Sequence, residues 1–169
     1  MLSISGDAFA ASAPAATRVS KLDLAIWPPL HNDGCEVCIK MAVNLDHTIV
    51  HVKDVQKSIR FYCDILGFRH RPDLSTIFSV IQVNEYLGLD LLAADHVDPR
   101  HFAFCMDQRI FDSIFARLKK AGVPYGDNYR EPGNMTGPGQ APGTRGLADT
   151  VYFRDPSSHL LEIRHYPGD

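Results

Sequence analysis

The chain has no apolar run approaching the ~20 residues that a membrane-spanning helix requires, so no segment of it reads as a transmembrane one. An excess of positive charge is missing as well. Seventeen Lys and Arg stand against 20 Asp and Glu, leaving a net charge of -3 and a pI near 6.2. That balance removes the electrostatic footprint of a nucleic-acid or anionic-membrane binder. Cysteine is scarce: four in 169 residues, unevenly placed, exclude a disulfide framework. Cys63 and Cys105 fall in patterned segments and are read as buried thiols, which suits a reducing, cytoplasmic setting. A basic start followed by a continuous apolar core is also lacking, so no secretory leader is expected.

What is present is an ordinary globular balance, 45% hydrophobic and 22% charged, in a length that suits one domain or two small ones sharing a core. Residues 1–41 stand apart. Ala8 to Ala16 is an Ala/Ser/Pro stretch without the period of a helix or strand, so the segment is expected to be a flexible extension, with Leu22 to Trp27 able to dock. His31, Cys35 and Cys38 have a zinc-like spacing, but a closed structural site needs four ligands, and surface thiols are the plainer reading. The domain proper spans 42–169.

Within it one unit is used twice. Leu45 to Lys53 alternates as a strand does, Asp54 stands where a helix N-cap belongs, and Val55, Ile59, Tyr62 and Leu66 make one apolar helical stripe that stops at Gly67. Arg100 to Asp107 repeats the strand. Phe111, Ile114, Phe115 and Leu118 repeat the stripe, and Gly122 ends it. Short strands are expected at 68–71, 77–83 and 87–93 after the first helix, and at 124–129, 149–154 and 159–166 after the second. Glu131 to Ala148, with five glycines and three prolines, reads as a long loop able to close over a site. The fold class is therefore α+β: two paired βαβββ modules, 43–98 and 99–169, forming a cup-shaped mixed sheet lined by alternate strand residues.

Each copy opens on a histidine. His47 shares a strand face with Ile49 and His51; His101 shares one with Ala103 and Cys105; Glu162 shares one with Leu160 and Arg164. A carboxylate between Leu161 and Ile163 needs a partner, because an unpaired buried charge is costly. If a pseudo-twofold axis relates the copies, two imidazoles and one carboxylate converge. Such a set suits Mn, Fe, Ni, Co or Zn and leaves open positions for water or substrate. Each histidine alone is more readily a structural residue; the shared position carries the metal reading.

The stretch Leu45-Asp46-His47-Thr48-Ile49-Val50 through Ser58, Phe61-Tyr62 and Leu66-Gly67-Phe68 resembles the opening of the vicinal oxygen chelate superfamily. Val151-Tyr152-Phe153-Arg154-Asp155-Pro156, followed by His159-Leu160-Leu161-Glu162-Ile163, is similar to its final hairpin. That superfamily includes glyoxalase I, extradiol dioxygenases and the fosfomycin and bleomycin resistance proteins. The resemblance implies that His47, His101 and Glu162 ligate a divalent transition metal, with Asp90 at the place of a fourth ligand. It implies a lyase, isomerase or dioxygenase acting on a small molecule held through neighbouring oxygens. Glu162 would move a proton, and His51 and Tyr152 would contact substrate. The alternative is a drug-binding protein of the bleomycin-resistance kind. The chain differs from glyoxalase I at His51 and Ala94, where that enzyme carries an arginine and an asparagine. A homodimer is expected, either keeping both modules of a cup in one chain or exchanging them, in which case His47 of one copy meets His101 and Glu162 of the other.

Overall fold

A computed structural model describes residues 43–168. The extension, with Leu22 to Trp27 and the His31/Cys35/Cys38 spacing, lies outside the described residues. The first module runs β1 (His47–Val52), α1 (Val55–Asp64), β2 (Arg69–His70), β3 (Ser79–Gln82) and β4 (Gly88–Ala93). The second runs β5 (His101–Cys105), α2 (Gln108–Ala121), β6 (Tyr125–Gly126), β7 (Gly139–Gly143), β8 (Gly146–Arg154) and β9 (Leu160–His165). The result is an α+β fold with two mixed sheets, ordered β1-β4-β3-β2 and β5-β9-β8-β6, with β7 added against β8. In both sheets the histidine-bearing strand lies at an edge and pairs in parallel with its one neighbour, β1 with β4 and β5 with β9.

The local chemistry places these elements. Asp54 and Asp107 cap the helices, their side chains accepting from the amides of Lys57 and Ile110. Gly122 caps α2 at φ 66°, the left-handed conformation in which glycine stops a helix without strain, whereas α1 ends earlier than expected, at an Ile65 cap, and Gly67 (φ 76°) follows two residues later. Lys119 and Lys120 fill the last turn of α2, where a cation meets the negative end of the helix dipole.

Alternation decides what the sheets bury. Val50 and Val52 of β1, Phe104 of β5, and the stripes of both helices share one hydrophobic core. The opposite faces of the two edge strands, His47, Ile49 and His51 on one and His101, Ala103 and Cys105 on the other, are exposed. Cys105 is therefore not the buried thiol its alternation suggested; of the two described cysteines, Cys63 is the one partly covered.

A polar clasp ties the final hairpin to the first module. The Tyr62 hydroxyl donates to Asp155 (3.1 Å), and the Lys53 amide donates to the Ser157 hydroxyl (3.0 Å). His159 accepts from the Arg100 amide at Nδ1 and donates from Nε2 to the His51 carbonyl (2.8 Å). Asp155 Oδ1 accepts from the amides of Ser157 and His159.

One expectation needs correcting. The stretch 131–148 is not a free loop, since residues 139–143 form β7, in antiparallel register with β8. Two features hold it there. Gly139 lies so close to the Asp127 carbonyl that a Cβ would overlap it, and Arg164 donates to the Ala141 carbonyl (3.1 Å).

Candidate metal centre

Glu162 stands in β9 between two strands, opposite Ala103 of β5 and Tyr152 of β8. Its side chain is 4% exposed, and burial of this depth demands compensation. His101, first residue of β5, brings Nε2 to 3.2 Å from Glu162 Oε2, and Arg164 brings Nη1 to 3.3 Å from Oε1. Oε1 is buried without a hydrogen-bond partner. The His101 and Tyr152 rings lie 6.2 Å apart. Burial, then the Glu162 charge, pushes the Tyr152 phenol above its ordinary pKa and keeps it protonated. His101, Glu162 and Tyr152 thus form one cluster, with Arg164 as its counter-ion.

The other two ligand candidates lie on the first sheet. His47 opens β1 and bonds through Nδ1 to Asp46 Oδ2 at 2.7 Å. That bond, with the nearby Asp90 charge second, raises the imidazole pKa. Asp90 stands in β4 opposite Ile49. His47 and Asp90 share a cavity of ≈ 390 Å³. His51 is elsewhere, in a cavity with His96, Asp98, Arg100 and His159.

Among the described residues, no three His, Cys, Asp or Glu side chains of a single chain gather as a metal site. The physical reason is visible in the packing. The two histidine-bearing strands are edges of different sheets, the inner faces of those sheets share one core, and the histidines point away from it. The donor set at Glu162 fits a divalent transition metal in part: it offers one imidazole nitrogen and one carboxylate, whose Oε1 is already paired with Arg164.

Two contributors were not singled out from the sequence. Arg164 had a signal, since it lies on the face of Glu162 and a buried carboxylate there requires a partner. Asp46 had a weaker one. It directly precedes His47, and a carboxylate on the second imidazole nitrogen is the usual way to orient a metal-binding histidine.

With this geometry in place, comparison is informative. The profile of the Glyoxalase/Bleomycin resistance protein/Dioxygenase superfamily matches residues 44–163. The chain belongs to that superfamily. Among solved structures, Oxidase ChaP-H1 is 36% identical, covering 76% of this chain and 100% of its own, with a TM-score of 0.61. Oxidase ChaP-H2 is 33% identical, covering 75% and 96%, with a TM-score of 0.63. The Glutathione transferase FosA of Serratia marcescens is 25% identical over 134 residues, 73% of this chain and 81% of that protein. The relatives of this superfamily member thus include enzymes of different reaction types. No helix among its described residues is long and apolar enough to cross a membrane.

Proposed function

We propose that the protein is a cytoplasmic, divalent-metal-dependent enzyme acting on a small molecule that presents two neighbouring oxygens. In this reading His101 and Glu162 of one chain hold the metal together with His47 of a second copy, and Asp90 of that copy lies within reach as a further ligand. The observation that carries it is the His101–Glu162 pair: a buried carboxylate 3.2 Å from an exposed imidazole that opens its strand. Fe, Mn, Ni, Co and Zn all suit such nitrogen and oxygen donors.

A divalent cation held there would supply Lewis-acid stabilisation of negative charge on the substrate oxygens. The remaining roles belong to the chain itself. Arg164 pairs with Glu162 and fixes the direction of its carboxylate. Glu162 accepts a proton from substrate as a general base. Tyr152, held protonated, donates a hydrogen bond to a substrate oxygen. His51 lies on the strand face of His47 but lines a different cavity, so it makes no substrate contact in this reading.

Elemental analysis of the purified protein, before and after chelation, tests the reading, followed by assays on dicarbonyls, catechols and epoxides. A stoichiometric transition metal, lost in His47→Ala, His101→Ala and Glu162→Ala alike, is the expected result. Metal retained in all three overturns it. A metal-free protein that still binds an aromatic drug favours sequestration without turnover.

A further inference from the structure

Apart from His47 itself, the charged side chains lining the His47 cavity are of one sign. Three carboxylates face it, Asp46, Glu85 and Asp90, and no lysine or arginine lines it among the described residues. The cation beside it, Arg71, is occupied. It forms a two-point pair with Asp73 (2.9 and 2.7 Å) and its third contact goes to Gln82 (2.8 Å). The rest of the wall is largely apolar: Leu74, Phe78, Val80, Tyr86 and Leu87. Both flanks are pre-set. Ser75 Oγ accepts from the amides of Ile77 and Phe78, and Asn84 Oδ1 accepts from those of Tyr86 and Leu87. Leu74 and Tyr86, 55% and 51% exposed, offer apolar surface at the rim. At ≈ 390 Å³ the space suits a body of one or two rings.

We propose that this cavity seats the body of the substrate and selects a neutral or cationic ring-bearing compound over an anionic one. The inference rests on the metal-enzyme reading for the placing of the two oxygens beside His47, but the charge preference belongs to the cavity alone. Away from the ligands His47 and Asp90, a phosphonate or carboxylate on the substrate body would meet Asp46 and Glu85, and no lysine or arginine among the described lining residues compensates them. A ring gains its binding from Phe78, Val80 and Leu87 and loses nothing to that field. An ammonium group on the ring would gain from it. On these grounds the protein's substrate differs in kind from glutathione, whose carboxylates the cavity would repel.

Calorimetric titration with three catechols tests this, because they share the neighbouring oxygens and differ in charge: dopamine, 4-methylcatechol and 3,4-dihydroxybenzoate. Dopamine and 4-methylcatechol should bind about tenfold or more tighter than the benzoate at low salt, with the gap narrowing as salt is added. Glu85→Gln should narrow it too, and Phe78→Ala should weaken all three. Equal or tighter binding of 3,4-dihydroxybenzoate overturns the inference, as does a gap unchanged in Glu85→Gln. Tyramine and 4-hydroxyphenylacetate, titrated into chelator-stripped protein, separate the two readings. If tyramine is preferred there while metal alters nothing for the catechols, the metal reading fails and the cavity stands. If metal tightens the catechols without any charge preference, the cavity inference fails alone.

Discussion

Asp90 and Glu162 occupy the same register position in the two sheets, each standing opposite the second residue after a strand-opening histidine: Ile49 follows His47, and Ala103 follows His101. The duplication therefore repeats an imidazole and a carboxylate together. The two copies differ in burial. Glu162 is enclosed and paired with Arg164, whereas Asp90 is half-buried in an open cavity.

That difference sets the ranking of two substitutions. Glu162→Gln should abolish metal retention, while Asp90→Asn should weaken it by roughly tenfold, the scale of a supporting group. Competition against a fluorescent chelator measures both. Equal losses would show that Asp90 ligates as fully as Glu162.

If His47 comes from a second copy, inactive subunits should complement one another. His47→Ala and Glu162→Ala proteins, mixed and allowed to exchange, give heterodimers with one intact site. Random pairing then restores about a quarter of the wild-type metal sites. No recovery after verified exchange would place the whole site within one chain.

The Arg164–Glu162 pair makes a stability prediction. Arg164→Leu leaves a buried carboxylate without its guanidinium partner and should cost about 3 kcal/mol in urea unfolding. Adding Glu162→Leu should recover most of that loss. A single substitution that costs nothing would mean the carboxylate needs no counter-ion.

Asp155 supplies a pH dependence. Burial raises its pKa above the ordinary 3.8, so the folded state holds the proton more tightly than the unfolded one. Its contribution to stability is then fullest below that value and is lost as pH rises through the higher folded-state value. Asp155→Asn keeps an oxygen for the amides of Ser157 and His159 and removes the titration. Its stability, followed by urea unfolding between about pH 4 and 7, should lack that falling segment. An unchanged profile would assign the slope to another group.

Gly139→Ala drives a methyl group into the Asp127 carbonyl, a backbone atom that cannot swing aside. A loss of about 1–3 kcal/mol in thermal or urea unfolding is expected. Wild-type stability would mean that β7 is free to move off its neighbour.

Local chemistry made much of this fold legible. Asp54, Asp107 and Gly122 mark helix ends because capping is a matter of adjacent residues, and the stripes of α1 and α2 declare which side is covered. The strand β7 was hidden because Gly139, Pro142 and Gly143 carry turn propensity, and its pairing is dictated by contacts with Asp127 and Arg164, distant in the chain. Cys105 shows a related limit. Alternation separates two faces but does not say which has a neighbour. In the site, the need for a partner to Glu162 could be read directly, whereas the relation of His47 to His101 depends on how two sheets pack through shared helices, and no short pattern encodes that.

The clasp joining Tyr62, Lys53 and the His51 carbonyl to the turn at Asp155–His159 has a consequence for any attempt to divide the molecule. Each half looks like a self-sufficient repeat, but the hydroxyl, amide and carbonyl on one half and the carboxylate, hydroxyl and imidazole on the other are matched across the join. Expressed as separate polypeptides, the halves would each uncover unmatched polar groups beside bare aromatic surface, including the contact of Phe61 with Phe153. The pair would recover its shape only by finding each other again, so the repeat is a unit of pattern and the whole domain is the unit of folding.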